Sequence, residues 1–528
     1  MKKFTSITIA LAMLCAMMVT MIPTASAAWD GSSVSAALIG SGTEFDPYII
    51  SSENDLAFVA KQVNDAVTGY EGEFFKLTVD LDLGNNLWTP IGVGSNYFRG
   101  TFDGDGHTVT NLNVKTDPEN SSAQYGGLFG RVADGFIKNL TIDGAKVVSL
   151  KYAGTVAGLL SCTAETGAAA IINCRVMNSE VYGTQPGGIV GRCATTKATK
   201  GQLHITGCSV ENLYAGQVSP DDYPKAEFQN HYIGGIAGCA GATVIEGCYV
   251  KNFTADVSGT GFAPAGGIVG CQGASSVATD INNCYVIGVN FKTTAECHPE
   301  KTSLGGLIGK AAHVSVMSGD TNKECHVFNC FVADVTLSNA TSNGRDGMIA
   351  GWVNDTIIFN DIYYVSSGNL PGYGYDTYYA EWPFVAVNAA SEVKAADLNS
   401  GNSTTVWTDD VVLGHPVIDV DAVIANQPTF VDYFVEHAEA TTEPETTEAP
   451  VVTEPEATEP EATEPEATEP EATEPEATDA PTEAPVVTDA PAQGTEAPKE
   501  EKGCGGMIAG GVIIVALLGT AVALKKRD

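Results

Sequence analysis

Two copies of Glu-Cys-His, at Glu296-Cys297-His298 and Glu324-Cys325-His326, are the residues of this chain best suited to hold a metal. Cys297, His298, Cys325 and His326 would offer zinc two thiolates and two imidazoles, a donor set that closes a tetrahedral site. The C-x2-C spacing that usually delivers such ligands is missing, and an extracellular chain gives the thiols another fate, a Cys297–Cys325 disulfide. The expectation is no metal and no cofactor, with a disulfide clip or two free thiols in loops ranked ahead of zinc. Asp103 and Asp105 in FDGDGH, and Asp80 with Asp82, are oxygen donors of the kind calcium takes. They lack the remaining ligands of a calcium loop and its distal Glu, so turn formation by Asp-Gly is the better reading.

Catalysis has little to build on. A polysaccharide lyase needs a base and a cluster of cations against the uronate carboxylate. The arginines of the region expected to fold, Arg99, Arg131, Arg175, Arg192 and Arg345, are scattered through the sequence. A glycoside hydrolase needs two carboxylates facing one groove. Asp334, Asp346 and Asp361 are candidates, but Asp334 falls where a corner explains it. Neither G-x-S-x-G nor H-E-x-x-H occurs. The expectation is a protein that is not an enzyme, with a lyase or hydrolase as the alternative. The residues expected to meet a ligand are aromatics in two long insertions. Tyr223, Phe228, His231 and Tyr232 lie in 216–232, and Tyr373, Tyr375, Tyr378, Tyr379 and Trp382 in 366–382. Covering a coil or a sheet end is the competing use of these side chains.

What positions these residues is a repeat. Six segments align on Leu140, Cys174, Cys208, Cys248, Cys284 and Cys330, each with Ile or Val three residues before and two residues after. One residue before the aligned position stands Asn139, Asn173, Gly207, Gly247, Asn283 or Asn329. Four residues after it stands Gly144, Asn178, Asn212, Asn252, Gly288 or Asp334. Only Gly, Asn and Asp occupy these places, and these residues tolerate a left-handed backbone at a sharp corner. Upstream of each segment lies a glycine-rich element such as GGLFG (126–130), GGIVG (187–191) or GGIAG (234–238). Aligned on Gly127, Gly158, Gly188, Gly235, Gly267, Gly306 and Gly347, these elements follow at intervals of 31, 30, 47, 32, 39 and 41 residues. A core near 30 residues with insertions fits three short strands per turn. The fold class expected is all-β, a right-handed parallel β-helix of roughly eight coils about 4.8 Å apart. Such a stack must cover its ends. Ser52 is placed to cap a helix over ENDLAFVAKQVND, with Leu56, Val59, Ala60 and Val63 on one face.

The cysteines fit the same frame. Cys174, Cys208, Cys248, Cys284 and Cys330 share a ladder position, and Cys162, Cys193, Cys239 and Cys271 follow the glycine element. Two inward stacks of free thiols are expected, ahead of bonds within a coil such as Cys239–Cys248.

The ends are different material. Lys2, Lys3, the apolar run 7–22 and TASA before Ala27 read as a secretory signal peptide. From Glu439 to Glu500 there are 19 acidic residues against Lys499, which accounts for −18 of the net charge of −37. This Thr/Glu/Pro tract reads as a disordered stalk and argues against nucleic acid as a partner. Residues 507–524 are apolar or small and precede KKRD, the pattern of a membrane helix with a cytoplasmic basic tail. The expected organisation is a signal at 1–27, an N-terminal cap and first coils at 28–115, repeats at 116–366 and a C-terminal capping region at 367–436. The stalk follows at 437–503 and the anchor at 504–528.

The GGL(F/I)G and GGI(V/A)G elements, the NCYV-type strands and FRGTFDGDGHTVTNL together resemble the GLUG-motif repeat proteins over about 38–436. The resemblance implies a β-helical, anchored cell-surface protein of anaerobic Gram-positive bacteria. It assigns no activity. No LPxTG sorting motif precedes the anchor; KGCGGMIAGG stands there instead, which favours retention by the membrane helix itself. The expected function is adhesion or binding of an extracellular glycan or protein by a monomer displayed at the cell surface. A structural envelope component is the other non-enzymatic alternative.

Overall fold

All twelve corner residues adopt positive φ, from 48° at Asn178 to 78° at Gly288. The computed structural model describes residues 29–425 other than 33–36, 118–123, 164–166, 196–202, 220, 222, 224–229, 273–278, 296, 312–324, 341–344, 354–356, 367, 369, 377–381, 401 and 403. The signal, stalk and anchor readings, together with Phe228, Tyr378 and Tyr379, lie outside the described residues.

Between the corners the chain forms a parallel β-helix. One coil runs through Ile233–Gly234, Ala237–Ala240, Thr243–Glu246 and Tyr249–Val257. The first strand belongs to a 7-stranded sheet and the second to an 8-stranded sheet. The last two belong to a third, bent sheet of 20 strands. Every pairing among these three sheets is parallel and in register, as in Val176↔Val210↔Val250↔Val286↔Val332. The coil therefore has three faces, as expected, but its third face breaks twice. The first break is at the Asn/Gly residue before the aligned cysteine, the second at the Asn/Gly/Asp four residues after it. Inward residues such as Ile236, Ile245, Cys248, Val250 and Phe253 are buried in one continuous core. Each large apolar side chain contributes about 1.5–3 kcal/mol on burial, against a backbone ordering cost of about 1–2 kcal/mol per residue.

The corners are tied to one another along the rod. The Asn212 side-chain amide donates to Asn178 Oδ1 at 2.9 Å, and Asn252 donates to Asn212 Oδ1 at 3.0 Å. At the other corner Asn173 donates to Asn139 Oδ1 at 2.9 Å. Asparagine thus serves twice, accepting the left-handed backbone and bridging the coils. Asn212→Ala is expected to cost about 2 kcal/mol in urea unfolding, and Asn212→Gly about 1 kcal/mol, because glycine keeps the backbone and loses only the bridge.

The glycine element is pinched between coils, with a register that differs from the sequence alignment. Gly154 pairs with Gly187 and Gly305 with Gly347, while Ala157 pairs with Val190, so Gly158 matches Gly191. Gly158 is therefore the last glycine of its element and Gly347 the first of its own. The middle glycine is replaced by Thr155 and Met348 in those coils. The first and last are glycine in all seven elements; neighbouring backbone fills the space at each of them except Gly126, where the Ser149 and Val147 side chains do. A Cβ on Gly270 would lie 2.6 Å from Gly238 O and from Ile233 N.

At the N-terminal end the expected helix forms over Glu53–Asn64. Ser52 Oγ accepts from Asp55 N at 3.2 Å, and Leu56, Val59, Ala60 and Val63 are buried. Asn64 fastens it, donating to Pro90 O and accepting from Gly92 N, both at 2.9 Å.

The C-terminal region does more than cover an end. Tyr373–Asp376 and Phe384–Val387 add last strands to the second and third faces. The chain then turns back along the outer flank of the third face. It passes through a helical turn at Ala395–Leu398, an antiparallel hairpin of Trp407–Asp410 with His415–Ile418, and a short helix at Val420–Ala425. This strap buries Val393, Leu398, Val406, Trp407 and Val423 against Tyr285, Phe331 and Ala333. It also explains why two corners are glycine. A Cβ on Gly207 would stand 2.7 Å from Val420 Cγ1, and one on Gly247 2.6 Å from Val423 Cγ1. Where the strap presents Asn402 instead, the corners are Asn283 and Asn329, which hydrogen-bond it.

Candidate functional site

The eleven cysteines among the described residues are all buried, and none of them is in a disulfide. Cys174, Cys208, Cys248, Cys284 and Cys330 form the expected inward ladder, one thiol per coil. Burial holds the thiols of Cys174, Cys208, Cys248 and Cys284 well above the ordinary range, so they stay protonated and unreactive. The second group divides. Cys162 and Cys193 join the core, whereas Cys239 and Cys271 pair on the outer side of the second face beneath Tyr232 and Phe262. Their strands run from the same glycine element, but Cys193 is two residues beyond its last glycine and Cys239 and Cys271 only one. That one-residue offset turns a side chain to the opposite face.

The two Cys-His pairs are not brought together as a site. Cys297 is a buried thiol that donates to Val257 O at 3.3 Å, and Cys325 is buried at the start of the strand Cys325–Ser338; neither is in a disulfide. The disulfide ranked first does not form. His298 Nδ1 accepts from Glu300 N at 3.1 Å, and His326 faces Asp280 and stacks on Phe328. No cluster of three or more His, Cys, Asp or Glu side chains suited to a metal occurs among the described residues.

The insertion aromatics are used mostly for packing. Tyr223, expected to be exposed, is 1% exposed: its hydroxyl donates to Thr116 O at 2.8 Å and reaches Val148 O at 3.3 Å. It pins the insertion onto two preceding coils. Tyr232 is buried against the outer thiols. Trp382 meets Phe359 edge-on at 5.3 Å and covers the last coil, with Tyr373 half-buried beside it. Among the described insertion aromatics, only Tyr375, at 37% exposure, remains open to a ligand.

His231, from the same insertion, is wholly buried, with Ser258 N donating to its Nδ1 at 3.1 Å. Burial lowers its pKa to about 4. The unfolded chain, with an ordinary value near 6.5, binds a proton that the folded chain refuses. Stability from this group is full above about pH 6.5 and is lost as pH falls towards 4, a change of about 3 kcal/mol. Urea midpoints measured across that window are expected to fall for the parent chain and to flatten for His231→Gln.

A feature that sequence reasoning missed is a row on the outer side of the second face, of which Leu159, Cys239, Cys271 and Lys310 are buried. The residue after the last glycine of each element points outward. In register these are Arg131, Leu159, Arg192, Cys239, Cys271, Lys310, Trp352 and Tyr375. Aromatic rings hold the cations. Lys310 Nζ lies 4.3 Å from the ring centres of both Phe262 and Trp352. The Arg345 guanidinium, from the first face, lies 4.2 Å from Trp352 and 4.3 Å from Tyr375. Arg131 covers Tyr97 at 3.9 Å and Arg192 covers Tyr152 at 5.3 Å. The arginines that are far apart in sequence line up because the solenoid returns the chain to one place each turn. Arg99 pairs with Asp134 and Arg175 with Glu211. On the third face, Asn178, Asn212 and Asn252 line a shallow polar groove of about 410 Å³ with Glu180 and Tyr214. No described helix is long and apolar enough to cross a membrane.

Residues 229–258 match the GLUG motif, and the matched segment spans one complete coil with the end of the insertion before it. Over 172 residues the chain is 32% identical to halomucin of Haloquadratum walsbyi, covering 31% of this chain and 2% of that protein. Over 170 residues it is 31% identical to the "Putative Gly-rich membrane protein" of Evansella cellulosilytica, covering 30% of this chain and 18% of that one. The chain thus spans a small part of the length of the curated relatives it matches. A solved chain described as a "putative immunoglobulin A1 protease" from Bacteroides ovatus aligns with a TM-score of 0.44 at 20% identity, covering 72% of this chain and 94% of that chain.

Proposed function

Starting from a solenoid with a GLUG coil at 229–258, we propose that this chain is a cell-surface binding protein that acts by holding a ligand and not by catalysis. The observation that carries the reading is the repetition of outward aromatic and charged side chains, coil after coil, along a capped rod. A regular rod presents the same side chain at intervals of about 4.8 Å, which suits an extended partner better than a small molecule. The names of the two relatives, halomucin and a Gly-rich membrane protein, support a place at the surface. In this reading 507–524 anchors the chain and the acidic tract holds the solenoid away from the bilayer. A glycan and matrix-protein array probed with the full chain is expected to give a saturable, salt-sensitive signal. A blank array would remove the binding reading and leave a purely structural role. Release of new reducing ends or unsaturated products from polysaccharides would establish an enzyme instead.

A further inference from the structure

We propose that Cys239 and Cys271 bind one soft monovalent metal ion, of the class of Cu(I) and Ag(I), held in line between the two sulfurs. Both side chains stand on the outer side of the second face, each directly after the last glycine of its element, and they pair in register on adjacent coils. An outward side chain of such a strand ordinarily meets solvent. These two are each 1% exposed because Tyr232 and Phe262 pack over them, which encloses two sulfurs and two rings in a compartment separate from the core. The thiols of the inward ladder are also stacked one per coil, but they lie inside the rod, behind its sheets. The outer pair is covered by side chains instead. Phe262 is half-buried and follows Gly259-Thr260-Gly261, where two glycines leave the backbone free to swing the ring. A small ion needs no wider opening.

The spacing selects the chemistry. Neighbouring parallel strands hold in-register residues about 4.8 Å apart. A disulfide wants its Cβ atoms about 3.8 Å apart and its sulfurs at about 2.05 Å, closer than parallel neighbours come, and neither thiol is in one. A metal–sulfur bond is about 2.3 Å, so a straight sulfur–metal–sulfur bridge spans about 4.6 Å and matches one coil rise. Zinc asks for four ligands. Among the described residues no third His, Cys, Asp or Glu joins the pair, and two thiolates alone suit a soft, closed-shell monovalent ion. On binding, both S–H bonds break, two metal–sulfur bonds form and two protons leave to solvent. The bis-thiolate complex carries one net negative charge. Lys310 follows Cys271 in register on the next coil, its ammonium 4.3 Å from the Phe262 ring centre, so a positive charge stands beside the compartment to offset it.

The test uses the full chain, reduced and kept free of oxygen, titrated with Ag(I) as a redox-inert probe and with Cu(I) against a coloured Cu(I) chelator. The parent is expected to take up one ion more per chain than the double variant Cys239→Ser, Cys271→Ser. Cys239→Ser alone is expected to weaken the tightest site at least about a hundredfold, since removing even an outer partner of a metal ligand costs about 10–100-fold. X-ray absorption of the parent with one equivalent of Cu(I) is expected to show two sulfur neighbours and no nitrogen or oxygen. If the serine variants fail to fold, Phe262→Ala decides instead. It opens the cover and keeps both sulfurs, and one equivalent of Ag(I) is expected to protect Cys239 and Cys271 from iodoacetamide, as mapped by mass spectrometry. Equal uptake by parent and double variant overturns the proposal. So does a third ligand in the absorption spectrum, alkylation of the two thiols unaffected by Ag(I), or a Cys239–Cys271 disulfide in the isolated chain.

Discussion

Gly270→Val is expected to destabilise the solenoid by about 4 kcal/mol or more, with loss of amide protection centred on the coils that contain Ile233 and Val269. The last glycine of each element has no room for a side chain. The Cβ of any other residue at 270 would sit 2.6 Å from Gly238 O and Ile233 O, and both neighbours are backbone held in parallel ladders. Neither can move without breaking hydrogen bonds to the coils on either side. Hydrogen exchange with mass spectrometry reads the position of the damage, and urea unfolding its size. Gly106→Asn is the control. Its φ of 82° is left-handed and nothing lies within 4 Å of its Cβ, and Asn tolerates this backbone, so a change below about 1 kcal/mol is expected. A mild phenotype for Gly270→Val would mean that the coils are not pinched at this element.

Trp407→Ala is expected to free the strap while leaving the rod intact. The indole is 1% exposed, lies 6.0 Å from the Tyr285 ring, and donates from Nε1 to Asn283 Oδ1 at 3.1 Å. Truncation leaves a cavity and an unpaired corner, at a cost of about 3–5 kcal/mol, which exceeds what the remaining small residues of the strap can hold. Limited proteolysis is expected to cut within 388–425 in the variant and not in the parent, at unchanged far-ultraviolet dichroism. Trp407→Phe, which retains the ring and loses the hydrogen bond, is expected to fall between them. Global unfolding in place of local cleavage would show the strap to be part of the cooperative core.

The third face could be read in the sequence because its constraints are local. A left-handed corner admits few residue types, so Asn, Gly and Asp at twelve positions gave both bends, and Ser52 with the spacing of Leu56, Val59, Ala60 and Val63 gave the cap. What escaped was set by contacts between distant segments. Gly207 and Gly247 look like ordinary corner substitutions until Val420 and Val423 are seen above them. Tyr223 reads as an exposed loop aromatic until Thr116 O, from three coils earlier, accepts its hydroxyl. The cationic row did leave a trace, since each member directly follows the last glycine of its element. Aligning on the middle glycine concealed it, because Thr155 and Met348 replace that residue and displaced the register of two coils.

The spacing of the coils carries one more consequence. Exactly two residues join the first face to the second in each of the coils beginning at Tyr152, Gln185, Ile233, Ala263, Thr302 and Arg345, and the step across the first corner is equally constant. All surplus length leaves at two seams, between the second and third faces and between the third and the first. An inherited or engineered insertion at either seam can change what the rod displays without altering how it stacks. The scaffold thus separates novelty from folding: the seams, and not the corners or the glycine element, are where added sequence is tolerated.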